Sequence, residues 1–314
     1  MVIGGGITGA GIAREASQRG LTVALFEARD FASGTSSRSS KLIHGGLRYL
    51  AMGDVALVRS TALERKVIHD LAPHLAEPRW LLVPARSRAG MMKLRVGITT
   101  YEKLGAVADA DLHRNWGRDE LAEEEPLLDR ERYGYGVAYR EYLTNDARLV
   151  LANLRAAAGH GAALLNRARV EEILTEGDRA SGVRVKCGLT GREARVRARC
   201  VINAAGPWVD AVRKLEDAAA PERLHLSKGV HIVIPAERLP VRNRVLLNAG
   251  GGRSIFVIPA GPGVYVGTTA TTYEPGVATW PVITKADVEY LLAPLAESFT
   301  GPPPEASDVA AAWA

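Results

Sequence analysis

A glycine-rich motif at the start of the chain limits what this sequence can fold into. Val2-Ile3 is followed by Gly4, Gly6 and Gly9 in the spacing GxGxxG, and a helical stretch follows over 10–19. In a βαβ unit the first glycine allows the tight turn after the strand. The second lets the backbone approach a pyrophosphate, and the third lets the helix pack closely on the sheet. The phosphates would lie at the helix N-terminus, where Ile7 and Thr8 stand beside the glycines.

An acidic residue stands where this motif requires one. The stretch 21–26 is apolar and strand-like, and it delivers Glu27, followed by Ala28. A carboxylate at this position can accept both hydroxyls of an adenosine ribose. The alternative is a glycine-rich turn with no ligand, but the flanking strands and helix favour dinucleotide binding.

The loop after Glu27 distinguishes between dinucleotides. A NAD-binding domain normally returns to a helix at this point, whereas residues 31–50 form a long polar loop, a His-Gly-Gly turn and a helical segment. Small hydroxyl residues and glycines suit an extended cofactor that backbone amides touch over a long path. This pattern favours FAD over NAD, and the alternative is a serine-rich surface loop. The candidate contacts are Thr35, Ser36, Ser40, Lys41, Leu42, His44, Gly45 and Gly46.

Six stretches resemble a known family. They are GGGITGAGIAREASQRGL, SGTSSRSSKLIHGGLRYL, NDARLVLANLRAAAGHGA, VINAAGPWVD, KGVHIVIP and YVGTT. The chain resembles the FAD-dependent glycerol-3-phosphate dehydrogenases, within the glycine-oxidase-like flavoprotein superfamily. The resemblance implies oxidation of sn-glycerol 3-phosphate to dihydroxyacetone phosphate, with electrons passing through FAD to a membrane quinone. Two alternatives stay open: an enzyme for another small hydroxy or amino acid with oxygen as acceptor, and a fragment that only binds FAD.

A second nucleotide-binding signature follows about 200 residues later. The stretch 200–208 reads as a buried strand that ends in small residues, with a helix starting near Pro207. Ala204, Ala205 and Gly206 would let this turn pass under the cofactor, next to Trp208. The alternative is a simple strand-to-helix turn. The resemblance also implies a backbone contact from Val170 to the adenine.

The predicted chemistry needs a base for the hydroxyl proton and cations for the phosphate. Histidine titrates near neutral pH and suits general base catalysis. His44, in the loop that would pass the flavin, and His231, which the resemblance places over the flavin face, are both candidates. The resemblance assigns phosphate binding to Arg48, beside Tyr49, and guanidinium groups bind phosphate oxygens bidentately. The other five histidines have flanks typical of surface helices and loops: His69, His74, His113, His160 and His225.

The sequence departs from the family pattern in two places. Ala270 stands where the family has an acidic residue after Gly-Thr-Thr, and the family's Gly-x-Arg-Pro segment with its second arginine is not in this sequence. Few residues precede the first glycines, and residues 308–314 read as the start of a strand. These features predict a piece of a longer protein.

Periodicity predicts an α/β chain in which a Rossmann-like FAD-binding domain is interleaved with a mostly antiparallel α+β substrate domain. The FAD domain would comprise residues 1–75 and 142–226, and the substrate domain 76–141 and 227–314. Helices are predicted over 54–71, 91–104, 119–126 (an acidic, solvated helix) and 146–158. Strands are predicted over 79–84, 133–142, 163–173, 182–187, 193–203, 229–234, 244–247, 254–259 and 264–269.

Composition narrows the class of protein and its partners. Apolar residues make up 47% and charged residues 24%, as in soluble globular enzymes. Cys187 and Cys200 have no metal-site or disulfide spacing, which favours a reducing cytoplasm, and Cys200 is predicted to be buried. No metal site is predicted. The sequence contains no apolar run of eighteen residues and no secretory signal.

The net charge of +5 indicates a basic surface, although no nucleic-acid motif is present. The amphipathic helix over 91–104 would either lie on an anionic bilayer or, as we prefer, pack on the substrate domain. Quinone reduction favours peripheral contact with the inner face of the cell membrane. The sequence leaves the oligomeric state open, a homodimer included.

Overall fold

The computed structural model describes residues 1–273 and 280–314, apart from the side chains of Arg48 and Ala51. The helices are α1 (Ile7–Gln18), α2 (Leu47–Ala51), α3 (Val55–Leu71), α4 (Arg88–Leu104), α5 (Arg118–Glu124), α6 (Asp146–Gly159), α7 (Val209–Arg213) and α8 (Lys285–Ser298). The strands are β1 (Val2–Ile3), β2 (Ala24–Phe26), β3 (Leu42–Ile43), β4 (Glu77–Ala85), β5 (Arg114–Trp116), β6 (Tyr135–Leu143), β7 (Ala163–Leu165), β8 (Ala168–Glu176), β9 (Arg179–Cys187), β10 (Glu193–Arg197), β11 (Ile202–Asn203), β12 (Ser227–Lys228), β13 (His231–Pro235), β14 (Arg244–Gly250), β15 (Arg253–Ala260), β16 (Gly263–Gly267), β17 (Thr271–Thr272) and β18 (Ala311–Trp313).

The chain divides into two units, each built from separate segments. Unit 1 contains Met1–Ser39 and Asn145–Leu226, with Tyr273, and unit 2 contains Ser40–Thr144, Ser227–Thr272 and Trp280–Ala314. Residues 40–75, which were expected in the FAD domain, belong to unit 2 in this division. One reason is that β3 pairs with β6, with Leu42 opposite Leu143.

Unit 1 is built on a parallel sheet of order β11-β1-β2-β7. Apolar residues of α1 and α6 pack with those of the sheet in one core cluster, which includes Val2, Ala10, Leu25 and Val150. Asn145 caps the start of α6, because its side chain accepts a hydrogen bond from the Arg148 N–H at 3.1 Å.

The rest of unit 1 is an antiparallel sheet of order β10-β9-β8. The single strands predicted over 163–173 and 193–203 are wrong, because each is two strands in different sheets. The chain leaves the parallel sheet after β7 by a turn at Arg167, whose φ is 51°, and it returns at β11. Alternation continues across both changes of sheet, so periodicity could not reveal them. Cys200 is exposed rather than buried, because it precedes the short edge strand β11.

Unit 2 is dominated by a sheet of order β18-β13-β16-β15-β14-β4-β6-β3, with β5 paired to β6. The predicted helix over 91–104 is present as α4. Its apolar side, with Ile98 and Tyr101 buried and Met91 and Leu94 partly buried, packs into a cluster with β4 and β6. The preferred interpretation of this helix therefore agrees with the structure, and its apolar face is not available to a bilayer.

Several polar residues lie deeper than their sequence context suggested. The helix predicted over 119–126 is not solvated throughout, because Glu125 within that range is buried and accepts hydrogen bonds from the Arg242 and Asn243 N–H groups at 2.9 and 2.7 Å. His113 is not a surface histidine, because its Nδ1 lies 2.8 Å from the buried Glu102 carboxylate.

Helix α8 was not predicted, although Thr284 and Asp287 form a capping box at its start. Pro294 inside this helix concealed the pattern. Among the helices over 1–273 and 280–314, none combines the length and the apolar character needed to cross a membrane.

Asp210 of α7 anchors a loop of unit 1 and generates a prediction on stability. Its Oδ2 accepts hydrogen bonds from the Arg223 and Leu224 N–H groups at 2.8 and 3.0 Å, and its Oδ1 pairs with Arg213 at 2.8 Å. The two backbone hydrogen bonds, followed by that from Arg213, lower the pKa of Asp210 from 3.8 to about 2.

Because the pKa is lower in the folded state, the stabilisation by the Asp210 carboxylate is present above pH 4 and is lost as the pH falls toward 2. We expect Asp210→Asn to lower the urea midpoint at pH 7, and to lower it by clearly less at pH 3, where the stabilisation by the carboxylate is already partly lost. Asp178→Asn, at an exposed position, is the control. A difference between Asp210→Asn and wild type that does not change with pH would contradict this account.

Candidate functional site

The glycine turn of unit 1 is held against a second turn from the far end of the unit. Strand β1 lies between β2 and β11, so Gly4 and Ala204 follow neighbouring parallel strands. Gly4 has φ 110°, and a Cβ on it would lie 2.8 Å from the carbonyl carbon of Ala204 and 3.1 Å from the Cα of Ala205. A Cβ on Gly9 would overlap the Gly4 carbonyl oxygen. These two glycines are therefore required by backbone packing.

Helix α1 begins directly after the glycine turn, with Gly6 as its N-cap residue. The Ile7 N–H donates to Ser36 Oγ at 2.9 Å, and a Cβ on Gly6 would lie 3.1 Å from the same oxygen. The N–H groups of Thr8 and Gly9 belong to the first helical turn and have no partner within the helix. This end of α1 therefore offers backbone donors, together with the positive end of the helix dipole, to an anion.

Glu27 is fixed immediately after β2. Its Oε2 accepts a hydrogen bond from the Gly5 N–H and its Oε1 one from the Arg29 N–H, both at 2.8 Å. Each carboxylate oxygen has a second lone pair, so the group can still accept hydroxyls. Ala28, which follows it, is exposed.

The second turn is organised by Asn203. Its Oδ1 accepts from the Ala205 N–H at 3.2 Å, and its Nδ2 donates to the Val209 carbonyl at 2.9 Å. Gly206 follows with φ 55°. The Trp208 ring lies near Gly34, where a Cβ would come within 3.1 Å of it.

Thr35 and Val170, two further predicted cofactor contacts of unit 1, lie outside these two turns. Thr35 is exposed and begins a short 3-10 helix. Val170 of β8 is buried in the apolar cluster with Ile3 and Phe26.

In unit 2, the structure brings Ser40, Lys41 and His231 together. Ser40 Oγ lies 2.8 Å from His231 Nε2. His231 begins β13, is 4% exposed and stacks on Trp313 with ring centroids 5.0 Å apart. The Lys41 ammonium lies 6.0 Å from the centroid of the same Trp313 ring. Leu42 follows at the start of β3.

Space for the His231 imidazole comes from a glycine on the adjacent strand. Gly267 of β16 lies opposite His231, and a Cβ on it would be 2.7 Å from the imidazole Cγ and 2.9 Å from Nε2. Sequence reasoning missed the roles of Gly267 and Trp313. The YVGTT stretch contained the signal for Gly267, whereas Trp313 is a partner only through the pairing of β18 with β13.

The other predicted catalytic residues lie around the turn before α2. His44 is exposed, and its ring centroid is 6.2 Å from that of Phe256. Gly45 donates its N–H to Tyr101 Oη at 2.8 Å, and Gly46 has φ 74°. Tyr49 is 43% exposed. Arg48 lies in α2, but its side chain is outside the described part of the structure.

Known proteins are similar to this chain along the whole of its sequence. The chain is 39% identical over 318 aligned residues to a protein named aerobic glycerol-3-phosphate dehydrogenase from Staphylococcus haemolyticus, covering 100% of this chain and 57% of that protein. A relative of the same name from Staphylococcus aureus is 38% identical with the same coverage. The chain thus spans little more than half the length of these relatives.

Solved structures give the same picture. The glycerol-3-phosphate dehydrogenase from Bacillus halodurans, described as complexed with FAD, superposes with a TM-score of 0.82 at 37% identity, over 99% of this chain and 55% of that one. The L-alpha-glycerophosphate oxidase from Mycoplasma pneumoniae superposes with a TM-score of 0.76 over 99% of this chain and 80% of that one, and its 19% identity indicates the fold alone.

The family described as DAO, FAD dependent oxidoreductase, matches residues 1–314. The predicted fold class, a mixed α/β chain with parallel and antiparallel sheets, and the resemblance to glycerol-3-phosphate dehydrogenases are confirmed. FAD is the cofactor of this family. The chain belongs to the FAD dependent oxidoreductases.

Proposed function

We propose that this chain binds FAD and that the full-length protein oxidises sn-glycerol 3-phosphate to dihydroxyacetone phosphate. The choice of substrate is supported by the name of the relatives that match the whole chain at 38–39% identity. The observation that carries the chemistry is the buried His231, held at Nε2 by Ser40, since oxidation of an alcohol requires a base.

The residues of unit 1 fit the adenosine diphosphate part of FAD. Gly4 lets this turn pack directly against the backbone of Ala204, which brings the two predicted nucleotide-binding turns together. We assign the pyrophosphate to the first turn of α1, with the N–H groups of Thr8 and Gly9, and the ribose to Glu27. The remaining proposed contacts of this unit are Gly6, Ile7, Ala28, Thr35, Ser36, Val170, Ala205, Gly206 and Trp208.

In unit 2 we assign the flavin contacts to the segment from Ser40 to Gly46. When bound, FAD supplies the acceptor for the hydride that leaves the substrate carbon. His231 takes the proton of the same secondary alcohol, so the carbon–oxygen double bond forms as both leave. The hydrogen bond between Ser40 and Nε2 holds the imidazole in place. When Ser40 donates to Nε2, the lone pair of that nitrogen is occupied, so the proton passes through the hydroxyl: Ser40 gives its own proton to Nε2 as it accepts that of the alcohol.

The substrate phosphate is assigned to Arg48, with Tyr49 beside it at the surface of α2. We further propose a quinone as the final electron acceptor. This implies peripheral contact of the full-length protein with the inner, anionic face of the cell membrane. The apolar face of α4 is packed inside unit 2 and does not provide that contact.

Steady-state kinetics of the full-length protein test the substrate and the acceptor. We expect glycerol 3-phosphate to reduce a soluble quinone analogue, and glycine to give no turnover. Arg48→Lys keeps the charge but loses the bidentate geometry, so the KM for glycerol 3-phosphate should rise about tenfold at normal flavin content. Arg59→Lys, on the exposed side of α3, is the control. Faster turnover with oxygen than with the quinone analogue would favour an oxidase instead.

Titration of the apoprotein with FAD tests Glu27. Glu27→Ala removes a charged acceptor of two ribose hydroxyls, and we expect a loss of about 2–3 kcal/mol of FAD affinity. Glu27→Gln keeps an acceptor for the Gly5 or Arg29 N–H and should lose less. If both variants bind FAD as wild type does, Glu27 only holds the turn.

Two substitutions decide which histidine is the base. We expect His231→Gln to lower kcat about 10²–10⁴-fold at wild-type flavin content, the range typical of general base catalysis. His44→Gln should lower kcat by less than about tenfold, because His44 is exposed. The reverse order of effects would transfer the role of base to His44.

A further inference from the structure

The turn formed by His44, Gly45 and Gly46 is hydrogen-bonded to a buried tyrosine hydroxyl. Tyr101 of α4 is 1% exposed, and its Oη lies 2.8 Å from the Gly45 N, 2.6 Å from Arg65 Nη1 and 2.8 Å from Glu141 Oε1. A phenolic oxygen has one proton to donate and two lone pairs. It accepts hydrogen bonds from Gly45 and Arg65 and donates to Glu141, so its hydrogen-bonding capacity is complete.

A buried ion pair fixes the direction of this hydroxyl. Arg65 Nη1 lies 2.8 Å from Glu141 Oε2, and both side chains are no more than 3% exposed. Burial raises the pKa of Glu141, while Arg65 and the Tyr101 hydroxyl act in the opposite direction. Two charges removed from water need close pairing and additional hydrogen bonds. Because Glu141 accepts the hydrogen bond from the Tyr101 hydroxyl, both lone pairs of Tyr101 Oη remain for the hydrogen bonds from Arg65 and Gly45.

The turn packs so closely on Tyr101 that Gly45 has no room for a side chain. A Cβ on Gly45 would lie 2.5 Å from Tyr101 Oη and 3.0 Å from Cζ, so only glycine allows the contact. On the opposite side, the Gly45 carbonyl lies 3.0 Å from Thr61 Oγ1, whose single proton is shared with the Leu57 and Val58 carbonyls at 2.9 and 3.2 Å. The peptide group before Gly45 is therefore held by Tyr101, directly after His44 and two residues before α2, which carries Arg48.

We propose that Arg65, Tyr101 and Glu141 are positioning residues that hold the His44–Gly45–Gly46 turn in its catalytic conformation. They act through the backbone of Gly45. This rests on the proposed function, from which the turn takes its role beside the flavin and the substrate. If the Arg65–Glu141 pair and Tyr101 only joined α3, α4 and β6, the hydrogen bond from Gly45 to the Tyr101 hydroxyl would not be needed.

The test compares two tyrosine-to-phenylalanine variants of the FAD-loaded, full-length protein. Tyr101→Phe removes the hydroxyl beneath the turn. Tyr133→Phe, the matched control, removes another buried hydroxyl of unit 2, which lies 3.1 Å from Ser298 Oγ. We measure kcat with glycerol 3-phosphate, the visible absorbance of the flavin, and amide hydrogen exchange in a peptide covering residues 42–50.

For Tyr101→Phe we expect kcat to fall about tenfold to hundredfold, as small misplacements near a reacting centre do. The flavin absorbance maxima should shift, and exchange in the 42–50 peptide should become faster. Tyr133→Phe should leave all three readouts at wild-type values. Equal behaviour of the two variants would overturn the proposal and leave the ion pair as a structural feature only.

Two further arrangements keep the test decisive. If Tyr101→Phe does not fold, Arg65→Lys is used, which keeps a cation beside Glu141 and loses the guanidinium bond to the hydroxyl. It should change the same readouts in the same direction, and wild-type values would overturn the proposal. If the wild-type protein does not oxidise glycerol 3-phosphate, the proposed function fails, whereas hydrogen exchange and flavin absorbance still decide the role of Tyr101.

Discussion

The close approach of two backbone turns is the constraint on which unit 1 depends. Strand β1 pairs with β2 on one side and with β11 on the other, so Gly4 meets Ala204 although 200 positions separate them in the sequence. The contact leaves no room for a Cβ on Gly4, and Gly9 must then pack directly on the Gly4 carbonyl. Small residues in both motifs are thus a condition of the parallel sheet itself. The N-terminus of α1 follows this turn directly, so its backbone donors are held beside the contact that joins the two motifs.

Unit 2 buries polar side chains within and against its large, mostly antiparallel sheet. His231 is buried between Gly267 on the neighbouring strand and the Trp313 ring, and its Nε2 is bonded to Ser40. Burial without such partners would cost several kcal/mol for a polar side chain. The Arg65–Glu141 pair follows the same rule, since it is accompanied by the Tyr101 hydroxyl. In each case a glycine provides the space and a hydroxyl provides the hydrogen bond.

Local signals predicted the elements of this chain better than its long-range contacts. The helices over 54–71, 91–104 and 146–158 were visible in the sequence because their apolar spacing and caps are local properties. The changes of sheet at Arg167 and before β11 were not, since strand alternation does not state which strand is the partner. The same limit applies to the candidate site. The glycines and Glu27 carry motif spacing, whereas Trp313 contacts His231 only through strand pairing, and the burial of Glu141 depends on α3 and α4.

The three-stranded sheet formed by β8, β9 and β10 has a consequence for how unit 1 is connected. It starts after β7, at one edge of the parallel sheet, and ends before β11, at the other edge. Its apolar residues Val170, Val183 and Val185 pack with Ile3 and Phe26, so this sheet covers residues that a crossover helix covers in doubly wound folds. The tip of its β8–β9 hairpin, at Gly177, follows the end of β8 that is farther along the chain from β7. The loop between β9 and β10 instead bonds back to the exit from the parallel sheet, because the Gly188 N–H donates to the Arg167 carbonyl at 2.7 Å. Extra residues at Gly177 would therefore lengthen the covering layer without changing the strand pairing that joins Gly4 to Ala204.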